Sequence, residues 1–285
     1  MLPDKIDLIL RDLKKLSYEN KHELKKWKVQ EVKKVNDNTY KPIESKKSFL
    51  TGNSSVWDNT GKIFFFHYRI KLPQKIDDEN LYLHLDIDGE CALFINDEVY
   101  RGLNEKDIRL PKTTDDFYHF KILATYDIHL YARHQRMFNQ PYPPHLFRKA
   151  FLFNKNKSVE DLYYLLLNTK KTIESLNSKE KKTKLQNLLD STINIIDFYT
   201  NQQQKFLDSI DNAFEYLENE LKSIDAHKNG NVHLLGHSHL DLAFKWRITD
   251  SIRKLQRTIS TTLNLMDSFD NYYFIQSQAI LYDYL

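Results

Sequence analysis

The stretch Asn231-Val232-His233-Leu234-Leu235-Gly236-His237-Ser238-His239-Leu240-Asp241 decides how this 285-residue chain is read. Its apolar run, Val232 to Leu235, predicts a buried strand. In an extended backbone successive side chains point to opposite faces, so His237, His239 and Asp241 are expected to project the same way. Ligands and catalytic groups in α/β folds gather where strands end and loops begin, which is where these residues fall. The spacing alone leaves two readings open: a metal-binding or proton-transferring cluster, or hydrogen-bonded scaffolding at a strand end.

Downstream, a loop over 236–246 is followed by a predicted helix, about Asp250 to Ser268, and a second strand, Tyr272 to Gln276. The connection is long enough for a crossover between parallel strands, giving one βαβ unit. Only 55 residues follow Gly230, whereas a closed α/β barrel needs about 200 or more. Any such barrel is therefore expected to be incomplete here.

Upstream lies a predicted αα-hairpin. Its first helix runs from Val159 to about Leu176, with Ser158 as N-cap and Asp161 at the capping-box position. Its second runs from Leu185 to about Ser223, with the turn at Asn177-Ser178. Lys228-Asn229-Gly230 reads as the C-cap that hands over to the strand. The tract Gln135 to Phe153, with Pro141, Pro143 and Pro144, reads as a long irregular connection. Before it, short runs between turn residues predict strands at Ile63 to Leu72, Asn80 to Ile87, Cys91 to Ile95 and Phe117 to Ala132, the pattern of an antiparallel β-sandwich. Ile6, Ile9, Leu10, Leu13 and Leu16 keep helical period at the start of the chain. The expected fold class is multidomain α+β. Its predicted parts are an N-terminal helix (1–35), a β-sandwich (36–153), a helical hairpin (154–230) and the opening of an α/β barrel (231–285).

Composition excludes several classes. Hydrophobic residues at 41% and aromatics at 13% argue against disorder, and 28% charged residues suit a solvated surface. Lys and Arg number 42 against 39 Asp and Glu, so the formal +3 leaves no nucleic-acid footprint. The lysines at 179, 181, 182 and 184 read as a solvated turn. Cys91 is the single cysteine, so no intrachain disulfide forms. Asp4, Asp7 and Asp12 interrupt Met1 to Leu16, which does not suit a secretory h-region, and a cytoplasmic location is expected.

The residues around the opening motif carry a resemblance. His233 to Trp246, then Arg253-Lys254, Arg257-Thr258, Leu265-Met266 and Phe274-Ile-Gln-Ser-Gln-Ala279 with Tyr282, closely resemble the opening of the catalytic domain of glycoside hydrolase family 38, the α-mannosidases. The piece Leu81 to Leu103, with Trp57 and Phe64-Phe65-Phe66 before Leu72-Pro73, also looks like the N-terminal β domain of the cytosolic-type members. The resemblance implies retaining, metal-dependent hydrolysis of terminal α-D-mannosides, with Zn2+ or another divalent cation.

Carried over residue by residue, the family's pattern implies His239 and Asp241 as metal ligands and His237 as a neighbour that shapes the loop without binding the ion. Phe244 stands where the family has a Trp stacked on the sugar, and Trp246 matches a second aromatic. Lys245 and Arg247 depart from the pattern and put the shape of the loop in question. Arg253, Arg257, Ser277, Gln278 and Ala279 are expected to brace the helix. The histidines at 84, 119, 129, 134 and 145 read as ordinary surface or core residues. The nucleophile and remaining ligands of the family lie further along its domain, so no catalytic residue is assigned here, and the chain alone is expected to be inactive. The expected partners are a mannose-containing oligosaccharide and a second copy or a complementary C-terminal polypeptide, with no nucleic acid and no membrane. Two alternatives stand beside this one. His-x-His at a strand end also serves other metal-dependent hydrolases, and the sandwich could be a non-catalytic interaction or assembly module beside a vestigial catalytic stub.

Overall fold

The computed structural model describes residues 3–36, 39–43, 49–51, 54–58, 62–113, 115, 117–125, 144–224, 233–243 and 246–284. The chain opens with helix α1 (Pro3–Leu16) and strands β1 (Tyr18–Glu23), β2 (Trp27–Asn36), β3 (Thr39–Pro42), β4 (Phe49–Thr51), β5 (Ser55–Asp58) and β6 (Ile63–Ile70). Strands β7 (Leu81–Ile87), β8 (Glu90–Ile95), β9 (Glu98–Gly102), β10 (Asp107–Arg109), β11 (Tyr118–Thr125) and β12 (His145–Lys155) follow. Helices α2 (Lys157–Ser175), α3 (Lys179–Ile195) and α4 (Gln203–Ser223) precede β13 (Gly236–His237), α5 (Ile248–Ser268), β14 (Phe274–Ile275) and a 3-10 helix, Ala279–Tyr284. These elements form two compact units, Met1–Lys21 with Phe153–Asn231, and His22–Leu152 with Val232–Leu285.

The first unit is helical. Ile6, Leu10 and Leu13 of α1 share a core with Val159, Leu162, Leu166, Leu189, Ile210 and Leu217. Its details differ from the expected hairpin. Helix α2 starts earlier, because Asn156, in an extended conformation, caps it by accepting from the Val159 N–H at 3.1 Å. The second helical run is two helices. The apolar period continues through Ile196 and Phe206, but Tyr199 between them is 97% exposed, and the Asp197 N–H bonds the Ser209 hydroxyl at 3.0 Å. Side-chain spacing alone does not reveal a turn that preserves the buried face. The expected cap at 228–230 lies outside the described residues.

The second unit is built on two sheets. One runs β1-β12-β7-β10 with β5 on β12; the other runs β3-β2-β6-β11-β8-β9 with β4 on β2. Every pairing in the second is antiparallel. Phe120, Ile122 and Ala124 of β11 face Tyr68, Phe66 and Phe64 of β6 across the ladder. Their buried members join Trp27, Val29, Leu83, Leu93 and Phe147 in one core. Phe66 and Phe147 stack across the two sheets at 5.6 Å, and Trp57 meets Phe66 edge-on.

Two stretches assigned otherwise from sequence are strands. The N-terminal helix stops at Leu16, and within the expected 1–35 segment Trp27 and Val29 are buried while Lys28 between them is exposed. The lysine-rich outer face of β2 masks that alternation. The expected irregular tract becomes β12 from His145 onward, with Phe147, Ala150, Leu152 and Phe153 buried. Its Arg148, which reads as a loop residue, bonds Asp88 through both terminal nitrogens at 2.6 and 2.9 Å. Cys91 is a buried free thiol, pushed up to about 12 by burial foremost. No helix among the described residues is long and apolar enough to cross a membrane.

Helix α5 is attached to the second sheet by a buried carboxylate. Glu90, at the start of β8, bonds the Lys254 ammonium and lies 3.3 Å from Arg257 Nη1 and 3.9 Å from Arg253 Nη2. Two glycines shape this region. Gly89 takes a φ of +100° in the turn before Glu90, and a Cβ there would stand 2.8 Å from the Thr125 carbonyl within the sandwich. At Gly102 a Cβ would come 2.3 Å from Arg257 Cγ; the bare backbone instead donates to Thr261 Oγ1 at 2.9 Å. Lys34 adds a bond to the Thr249 carbonyl at 2.8 Å.

Burial alone would raise the Glu90 carboxyl, but Arg257, Lys254 and Arg253 outweigh it and hold the group below its ordinary value of 4.5. A depressed carboxyl contributes stability that is full above its unfolded value and is lost as pH falls through the folded one. Amide protection in α5, taken relative to the intrinsic exchange rate at each pH, should therefore fall as the pH drops below about 4.5. At neutral pH, Glu90→Gln should cost this attachment about 3 kcal/mol, because three cations lose their buried counter-charge. Hydrogen exchange checks this: residues 248–268 should lose roughly 100-fold protection while α2 to α4 keep theirs. Gly102→Val should produce the same pattern through the steric route.

Candidate functional site

The site lies at the end of β13. This strand pairs in parallel with β14, Gly236 opposite Phe274 and His237 opposite Ile275, and α5 makes the connection between them. The regular strand thus begins at Gly236 and does not include residues 233–235; Val232 lies outside the described residues. Leu234 is 85% exposed, since among the described residues β13 has one strand neighbour and nothing covers the apolar run.

Beyond His237 the alternation is enforced by one residue. Leu240 is buried with Leu255 of α5 and Leu281 of the 3-10 helix. Its inward turn sends the flanking positions outward, and His239 Nε2 meets Asp241 Oδ1 at 2.9 Å on the exposed side. His237 does not join them; its Nε2 lies 3.4 Å from Ser277 Oγ. Among the described residues no group of three or more His, Cys, Asp or Glu converges as a metal cluster. Phe244, the expected sugar-stacking residue, and Lys245 lie outside the described residues.

The loop is held from two sides by residues to which the sequence reading gave no role there. Ser251, buried in the first turns of α5, donates to the Asp241 carbonyl at 3.2 Å. Its oxygen accepts from the Ala243 N–H at 3.3 Å and from Trp246 Nε1 at 2.9 Å. Gln276, at the end of β14, donates to the Ser238 carbonyl at 3.1 Å. Ala243 adopts a φ of +52°, a left-handed position at which the chain reverses toward α5. Lys254 lies over the Trp246 ring at 4.7 Å. Arg253 and Arg257, expected as braces, act on Glu90 of the sandwich. A serine inside a helix carries no local signal for the Ser251 contacts, whereas the pairing of His239 with Asp241 follows from their spacing.

Such an arrangement presents an imidazole and a carboxylate to solvent from a braced loop beside a parallel strand pair, a geometry suited to holding a cation or a hydroxylated ligand. Residues 229–285 match the family model described as the glycosyl hydrolases family 38 N-terminal domain. A 77-residue stretch is 34% identical to an α-mannosidase of Saccharomyces cerevisiae, covering 25% of this chain and 7% of that protein's length. Among solved structures, a β-D-mannosidase from Dictyoglomus thermophilum aligns over 48% of this chain and 22% of its own at 9% identity and a TM-score of 0.32. A β-glucuronidase from Ruminococcus gnavus aligns over 49% and 30% at 10% identity and a TM-score of 0.34. Neither score is high enough to align the folds. The sequence match makes the C-terminal segment similar to glycosyl hydrolases. More narrowly, residues 229–285 are similar to the N-terminal domain of family 38, and the chain spans 7% of the length of the α-mannosidase it matches.

If Ser251 holds the loop, Ser251→Ala should free the Trp246 indole N–H. At about 1 kcal/mol per hydrogen bond, that proton should exchange roughly five-fold faster by NMR, with the Trp27 indole unchanged.

Proposed function

We infer that this chain is the N-terminal portion of an α-mannosidase that hydrolyses terminal α-D-mannosides with retention, and that His239 and Asp241 contribute metal ligands. The observation that carries the reading is the convergence of His239 Nε2 and Asp241 Oδ1 at 2.9 Å, inside the family-matched segment and open to solvent. Imidazole nitrogen and carboxylate oxygen are both zinc donors, so the pair fits as part of a donor set. A divalent cation, zinc in this reading, would supply positive charge and a template for adjacent hydroxyls of the terminal mannose.

The chain's own residues do the positioning. Leu240 anchors the loop, Ser251 and Gln276 fix its backbone on either side of the pair, and His237 reaches Ser277 to hold the strand end. Phe244 offers the ring for stacking on the sugar. Retaining hydrolysis needs a nucleophilic carboxylate and an acid/base carboxyl group. We assign neither to this chain, which by itself binds the cation weakly and turns over no mannoside. A complementary C-terminal polypeptide completes the site in this reading, and the cytoplasm is its location. The sandwich serves as the platform on which α5 sits. A second reading, the sandwich as an assembly module beside an inactive stub, draws on its self-contained aromatic core.

Titration calorimetry of the purified chain with Zn2+ tests the ligand assignment. Weak binding is expected, reduced about ten-fold or more by either His239→Ala or Asp241→Ala. Binding that both variants leave unchanged removes these residues as ligands. Turnover of 4-nitrophenyl α-mannoside by the homogeneous chain would overturn its assignment as inactive alone.

A further inference from the structure

The outer face of the second sheet carries a cluster that the mannosidase reading does not use. Register places Lys28 of β2 opposite His67 of β6, His67 opposite Lys121 of β11, and Arg69 opposite His119. Residues 64 and 66 and residues 118 and 120 on the same strands are buried in the core, so the odd-numbered positions face outward. Lys28, His67, Arg69 and His119, together with the turn after β8, line an open groove of about 950 Å³, with Lys121 beside it.

The charges in this groove are unevenly matched. Asp97 bonds Lys121 Nζ at 2.5 Å and lies 3.8 Å from His119 Nδ1, and Asp115 accepts from Asn96 Nδ2 at 2.9 Å. Asn96 Oδ1 in turn accepts from the His119 N–H at 2.9 Å. Among the described residues, neither Lys28 nor Arg69 has a carboxylate partner. The Arg69 guanidinium lies 4.4 Å over the Phe117 ring, which orients it and leaves its in-plane donors to point elsewhere. His67 Nδ1 and His119 Nε2 stand 3.3 Å apart with their rings nearly parallel.

We propose that this groove binds a small oxyanion through Lys28, Arg69 and the His67–His119 pair, and that its natural ligand is a phosphate monoester. Arginine and lysine on adjacent strands supply charged donors to a tetrahedral anion, and the imidazoles between them add ring N–H donors. The volume exceeds what phosphate alone needs and leaves room for the esterified alcohol. A metal cation does not suit a surface bearing Lys28, Arg69 and Lys121. A neutral sugar held by stacking does not suit it either, since Arg69 already covers a face of Phe117. Burial foremost lowers the His67 imidazole from 6.5 to about 4, and the neighbouring His119, Lys121 and Lys28 push it in the same direction. Asp97 opposes this only in part.

Calorimetry of the full chain with inorganic phosphate, mannose 6-phosphate and mannose, combined with NMR titration of His67, tests the proposal. Both phosphates should bind and mannose should not, and saturation should raise the His67 midpoint above 4. Tighter binding of the ester than of phosphate supports the monoester, whereas equal binding overturns that part and leaves an inorganic anion site. Lys28→Met and Arg69→Gln change exposed residues, and each should weaken binding about ten-fold or more. Binding unchanged in both variants, no binding to the parent chain, or equal binding of mannose would each overturn the site. Retained amide protection in β6 and β11 distinguishes loss of the site from loss of the fold.

Discussion

A buried carboxylate connects the sandwich to the segment that carries the candidate site. Glu90 gives up solvent at the start of β8, a cost that a lone acid would meet by taking up a proton. It stays charged because Arg253, Lys254 and Arg257 present three cations from adjoining turns of α5. The arrangement is reciprocal, since those cations are themselves largely withdrawn from water. The contact is close because the chain is bare at Gly102, where a side chain would meet Arg257 and Thr261 and hold the helix away.

The site inherits its geometry from that attachment. Helix α5 carries Ser251, which gathers the Asp241 carbonyl, the Ala243 amide and the Trp246 indole. The loop is thus shaped by a helix whose own location depends on a sandwich residue about 150 positions earlier in the chain. Around it, more than half of the exposed large apolar side chains among the described residues fall within residues 234–282. Parallel strands are ordinarily covered on both faces. Leu234, Leu235, Tyr273 and Ile275 on or beside β13 and β14 are exposed instead, a surface suited to burial against further α/β structure.

Particular elements show where the sequence was informative. The helix of the βαβ unit, the parallel relation of its strands and the outward pairing of His239 with Asp241 follow from local period and alternation. Strands β6, β7, β8 and β11 also follow, because their apolar alternation is strong and turn residues separate them, whereas the short β9 and β10 do not. Strands β2 and β12 were obscured by lysines and arginines whose stems lie on the outer faces of sheets. The break between α3 and α4 was obscured because Ile196 and Phe206 stay on the core side across it. A local pattern records which side chains are buried, but not whether the backbone between them turns.

The sequence by itself determined a mixed α+β chain, a resemblance of its C-terminal segment to family 38 and a histidine and an aspartate two positions apart at a strand end. Local backbone geometry and apolar period suffice for these. Only the tertiary structure decided that His237 turns to Ser277 and that Ser251 and Gln276 hold the loop. It also decided that Glu90 collects the cations of α5, and that Lys28, His67, Arg69 and His119 share one groove. Each of those relations joins residues on different elements, and their distances follow from packing and sheet register, which local sequence spacing does not encode.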